Sequence, residues 1–145
     1  MLRLRVGIGA TAGTVIASRR IERGGYVRLE AGTASHTGRI RTSNQDSVGL
    51  VDGLYVVADG MGGHRGGEVA SAEAVAAMLA VFDRRDRAGL VAAVRSANRT
   101  ILEKTVTRPD LSGMGTTLCA LAVVSSASGD EVLAVANIGD SRVYR

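Results

Sequence analysis

A chain of 145 residues with an apolar fraction of 46% has the length and hydrophobic content of one ordinary domain, and two full domains would not fit. Three Tyr, one Phe and no Trp require an aliphatic core and leave out the aromatic platforms on which nucleic-acid bases stack. The formal charge of +4 is concentrated at the front: residues 1–28 carry six Arg against Glu22, while the rest holds twelve basic and thirteen acidic residues, so a nucleic-acid-binding face on the folded body is poorly supported.

The basic start, Arg3 and Arg5, followed by Val6 to Ala17 has the outline of a signal peptide, but three glycines and two threonines dilute its apolar stretch. Residues 1–25 are therefore expected to be a basic, disordered extension, with the domain occupying residues 26–145. Tyr26 to Ser35 reads as the first strand. Asp46 to Leu50 and Leu54 to Ala58 read as a hairpin turning at Asp52-Gly53, and Asp59-Gly60 then opens a glycine-rich loop that runs to Gly67.

Glu68 to Phe82 has Val69, Ala72, Val75, Ala76, Leu79 and Phe82 at helical spacing. A second helix is expected from about Ala88 to Val106, with Leu90, Val94, Ala97, Ile101 and Leu102 on its apolar face and Pro109 preventing its continuation. Thr116 to Ser125 and Glu131 to Ile138 read as an antiparallel pair joined by Ser126 to Asp130, with a last strand near Arg142. Both members of the pair are apolar on both faces, as strands covered on two sides are. Helices on one side and a second sheet on the other make an α+β layered architecture.

Cys119 is the only cysteine, which removes disulfides, zinc ribbons and Cys-x-x-Cys chemistry and fits a reducing, cytoplasmic setting. No segment has the roughly 18 to 20 uninterrupted apolar residues of a membrane helix. Asp46, Asp59 and Asp140 stand where strands end or turn, and such rigid carboxylates, with backbone carbonyls, are the oxygen ligands that Mg²⁺ and Mn²⁺ prefer. Taken singly, each also reads as a turn residue. Arg41 offers a planar fork suited to phosphate, or a solvated strand face. His64 is either a proton donor or a loop residue. The loop GMGGHRGGE lacks the third glycine of a dinucleotide fingerprint and the Lys-Ser or Lys-Thr of a P-loop, and no Asp-x-Asp-x-Asp-Gly calcium loop is present.

The blocks RIRTSNQDS (39–47), LYVVADGMGGHRGGEVAS (54–71), GMGTTL (113–118) and NIGDSR (137–142), in this order, resemble the bacterial type-2C (PPM) metal-dependent protein serine/threonine phosphatases. The resemblance implies a four-layer α-β-β-α sandwich with a binuclear Mn²⁺ or Mg²⁺ centre and, in bacterial members, a third ion. It implies hydrolysis of phosphoserine and phosphothreonine in proteins by a metal-activated water, in signalling that pairs such enzymes with serine/threonine kinases. By position, Asp59 would bridge two ions, Gly60 would supply a carbonyl ligand, Asp46 would act directly or through water, and Asp140 would hold the third ion. Arg41 would grip the substrate phosphate. His64 lies in the bacterial loop pattern, whereas Met61 stands where animal members carry their general acid. Gln45 replaces the Glu of many relatives, and its amide could still hold a water. The family pattern continues beyond Gly-Asp-Ser-Arg with later Asp-Gly and Asp-Asn segments, so the chain is expected to be the N-terminal portion of such a domain, incomplete and inactive or nearly so by itself. The alternative is a catalytically inactive phosphatase-like remnant or binding module.

Overall fold

The computed structural model describes residues 2–7, 14–21, 27–37, 39, 42–62 and 65–144, with side chains from residue 31 onward. Among the described residues, nine strands and two α-helices follow in the order β1 (Leu2–Gly7), β2 (Thr14–Ile21), β3 (Val27–Ala34), β4 (Asp46–Val51), β5 (Leu54–Met61), α1 (Gly66–Val81), α2 (Arg87–Thr107), β6 (Gly115–Thr116), β7 (Leu118–Ser125), β8 (Glu131–Ile138) and β9 (Arg142–Tyr144).

One sheet has the order β4-β5-β7-β8, with the short β6 added alongside β5, and the other has the order β3-β2-β1-β9. All pairings between strands are antiparallel. Alternation along β5 and β7 explains the layers. Leu54, Val56, Ala58, Leu118, Ala120, Ala122 and Val124 form one buried cluster with Ala74, Met78, Leu90 and Ala93 of the helices. Tyr55, Val57, Cys119, Leu121 and Val123 point the other way and are equally buried, on the side where β2 lies against β5. Helices, sheet and second sheet therefore stack in that order, the α+β layering expected of the sequence.

The two hairpins form as anticipated. Gly53 has φ of 78° at the β4–β5 turn, and Gly129 has φ of 88° between β7 and β8. Both helices also lie where their periodicity put them, α2 stopping just before Pro109.

Three expectations need correction. Residues 1–25 were expected to be disordered, yet β1 and β2 pair with each other from Leu2↔Arg19 to Gly7↔Thr14. The alternation of Leu2, Leu4 and Val6 with Arg3 and Arg5 is a period-two pattern that a net-charge argument hides. Helix α1 sets Val75 and Phe82 in the core and packs Val69 and Leu79 against it as their spacing predicts, but it also buries Ala70, Ser71, Ala74 and Met78, while Ala72 and Ala76 face solvent. Its apolar residues run almost all round, so periodicity fixes its rotation only in part, and the buried polar Ser71 points the count the wrong way. On α2, Leu102 is likewise exposed. Finally, β8 is not covered on both sides: it ends its sheet, with Val132, Val135 and Ile138 exposed.

Candidate metal and phosphate site

The hairpin register sets Asp46 directly opposite Asp59. Cross-strand partners hold their Cβ atoms roughly 5 Å apart on the same face of the sheet. That face is the one turned from the helices, because the adjoining Ser47 and Ala58 lie on the helix side, where the Ser47 and Ser71 hydroxyls meet at 2.9 Å. Like charges so placed repel, and a shared cation relieves the repulsion.

The chain reaches Asp46 through an Asx turn, in which the Asn44 side-chain oxygen accepts from the Asp46 N–H at 3.1 Å while the Asn44 amide donates to Ser35 Oγ at 2.6 Å. The Gln45 carbonyl accepts twice, from the Gly60 N–H at 3.0 Å and from the buried Ser71 hydroxyl at 2.7 Å. The start of β4, the end of β5 and the first turns of α1 are thus fastened at one point.

Close backbone approach dictates the glycines here. A Cβ on Gly60 would stand 1.9 Å from the Gly67 carbonyl oxygen, and one on Gly67 would stand 2.5 Å from Gln45 Oε1. The Gln45 side-chain amide oxygen therefore lies against Gly67, at the foot of α1.

On the other flank of β5, Thr117 meets Asp59 twice: its N–H donates to the Asp59 carbonyl at 2.9 Å, and its Oγ1 accepts from the Asp59 N–H at 3.1 Å. Thr117 Oγ1 is also 2.7 Å from Oγ of Ser141, which is 2% exposed. Asp140 sits in the exposed turn between β8 and β9, after Gly139 with φ of 92°.

The structure thus brings Asp46, Asp59 and Gly60 together and ties the Asp140 turn to them through Thr117. Asp140 does not join the carboxylate pair. Among the described residues, no three His, Cys, Asp or Glu side chains gather closely enough to hold a metal ion. The reason is lateral: Thr117 stands between Asp59 and the Gly139–Ser141 turn. Arg41 and His64 lie outside the described residues. As a donor set, two opposed carboxylates with the Gly60 backbone next in the chain fit a hard divalent cation as one part of its ligand shell.

Thr117 and Ser141 did not stand out in the sequence, since neither bears a charge. The signal was present as a hydroxyl pair, Thr116-Thr117, at the foot of an otherwise apolar strand, and a serine directly after Asp140. Cys119 is buried, and that burial pushes its thiol up to about 11, so it has no thiolate for nucleophilic catalysis.

The profile of the family described as Protein phosphatase 2C matches residues 34–145. The chain belongs to the protein phosphatase 2C family. It is 40% identical over 120 residues to the serine/threonine protein phosphatase PstP of Mycobacterium tuberculosis, covering 80% of this chain and 22% of that protein. It is 35% identical over 122 residues to the serine/threonine phosphatase stp of Listeria monocytogenes, covering 74% of this chain and 46% of that one. Among solved structures, the Mycobacterium tuberculosis phosphatase PstP/Ppp superposes with a TM-score of 0.63 at 34% identity, covering 96% of this chain and 48% of its own. The catalytic domain of PstP in complex with two manganese ions gives a TM-score of 0.62 at 33% identity, covering 94% and 49%. The chain therefore spans between about a fifth and a half of the length of these relatives.

Proposed function

We propose that these residues form the N-terminal part of a metal-dependent protein serine/threonine phosphatase domain, acting on phosphoserine and phosphothreonine in proteins. The observation that carries this reading is the in-register opposition of Asp46 and Asp59, with Gly60 next in the chain. Asp59 and the Gly60 carbonyl are assigned to two Mn²⁺ or Mg²⁺ ions, Asp46 to the same centre directly or through water, and Asp140 to a third ion. Bound ions of this kind supply Lewis acidity, acidifying water and neutralising phosphate charge. Arg41 is assigned to grip the substrate phosphate with its guanidinium fork. His64 is the candidate proton donor to the leaving serine or threonine oxygen.

The substrates on this reading are proteins phosphorylated by serine/threonine kinases. A buried, unpaired Cys119 suits a reducing, cytoplasmic setting. Among the described residues, no helix is long and apolar enough to cross a membrane.

Hydrolysis of a phosphothreonine peptide tests the proposal in two proteins: the 145-residue chain, and a chimaera in which residues 34–145 replace the matching part of the mycobacterial PstP domain. The chimaera is expected to turn over in Mn²⁺ and to lose at least about a hundredfold in kcat on Asp59→Asn, with little turnover by the chain alone. Turnover without metal, or turnover indifferent to Asp59→Asn, overturns the reading. The rival reading is a non-catalytic phosphoprotein-binding module, favoured by the lack of a third clustered ligand among the described residues. A chimaera that binds the peptide without hydrolysing it would decide for that rival.

A further inference from the structure

Thr117 occupies a break in a ladder that is otherwise continuous. The pairing Val57↔Cys119 between β5 and β7 and the pairing Gly60↔Thr116 between β5 and β6 share one register, which sets Thr117 opposite Asp59. At that place the Asp59 N–H is received by the Thr117 hydroxyl oxygen, while the Thr117 carbonyl accepts instead from Thr116 Oγ1 at 2.8 Å. A side chain has taken over a main-chain role. Thr117 Oγ1, which accepts from the Asp59 N–H, also shares a hydrogen bond with Ser141 Oγ, so two hydroxyls in series link Asp59 to the residue after Asp140. Packing reinforces the link, since a Cβ on Gly139 would stand 2.9 Å from Thr117 Cγ2.

We propose that Thr117 is a positioning residue that couples Asp59 to the Asp140 turn, so that an ion held at one carboxylate is felt at the other. The proposal rests on the metal-site reading above. A polar link of this kind, running from the main chain of one site residue through two hydroxyls to the neighbour of another, sets the relative position of two strand ends that belong to different hairpins. Thr117 would touch neither ion nor substrate.

Calorimetric titration of Mn²⁺ into the chimaera that carries residues 34–145 in the mycobacterial PstP domain, its variants and their combinations tests this. Thr117→Val keeps the β-branched shape and removes the hydroxyl; it is expected to weaken Mn²⁺ binding about tenfold, and Thr117→Ser to restore it. The decisive readout is the coupling. Asp140→Asn should weaken Mn²⁺ binding several-fold in the wild-type background and by less than about twofold in the Thr117→Val background. Amide exchange at Asp59 should accelerate in Thr117→Val and not in Thr117→Ser. Should Thr117→Val fail to fold, Ser141→Ala takes its place in the cycle, because it breaks the hydroxyl link while leaving the Asp59 hydrogen bond intact. An equal cost of Asp140→Asn in both backgrounds overturns the coupling while leaving the metal reading standing. Mn²⁺ binding that is absent, or unchanged by Asp59→Asn, overturns the metal reading and the coupling with it.

Discussion

Gly60 shows how a single missing methyl group sets the geometry of the site. Its backbone angles are ordinary, so the requirement for glycine is purely steric: any Cβ would collide with the main-chain oxygen of Gly67 at 1.9 Å. Backbone cannot swing away as a flexible side chain does. Gly60→Ala is therefore expected to destabilise the fold by about 3 kcal/mol, read as a lower urea midpoint at unchanged slope. Cys119 makes the opposite point, being inert because it is buried. Its thiol is pushed from 9.0 up to about 11 by desolvation, so at pH 8 it should ignore thiol reagents until the chain unfolds. The native state keeps this proton where the unfolded chain loses it. The corresponding stability is complete below pH 9 and disappears as pH rises toward 11, a decline that Cys119→Ala should lack.

In helix α2 the C-terminal stop was read from the sequence, while the N-terminal cap emerged from the structure. Asp86 caps it, accepting from the Gly89 N–H at 2.7 Å, and Pro109 follows its last turn. That hydrogen bond, helped by the Arg84 guanidinium, holds the Asp86 carboxyl below its usual range. A depressed carboxyl stabilises above its unfolded value and loses that contribution as pH falls through its folded one. Asp86→Asn should consequently be less stable at neutral pH and lose less between pH 5 and pH 3 than the wild type, in thermal melts followed by circular dichroism. Helix α1 was legible as an element, but its rotation only in part. Residues such as Ala70, Ala72, Ala74 and Ala76 do not distinguish inside from outside, and Ser71 could be buried only because the Gln45 and Glu68 carbonyls, from the turn before β4 and from its own helix, receive its hydroxyl. Hydrogen bonds made across the fold overrode polarity as a guide.

For the molecule as a whole, β8 is the exposed boundary. It ends the β4-β5-β7-β8 sheet with Val132, Val135 and Ile138 41%, 49% and 46% exposed, an apolar edge strand of the kind that pairs with other chains. The chain is expected to self-associate as its concentration rises, by light scattering after size exclusion, and Val135→Lys to shift it toward monomer. An association unaffected by that charge would place the contact elsewhere. The sequence alone determined the hairpins, both helices and the doubly covered β7, because turn chemistry and periodicity are local and each leaves its mark within about twenty residues; the register that opposes Asp46 to Asp59 came with the structure. Four further matters were decided only by the tertiary structure: the pairing of β1 with β9, the open edge at β8, the final rotation of α1, and the placing of Thr117 between Asp59 and the Asp140 turn. Each depends on which distant segment lies alongside, and burial and hydrogen bonding between segments far apart in the chain have no periodicity by which a sequence could announce them.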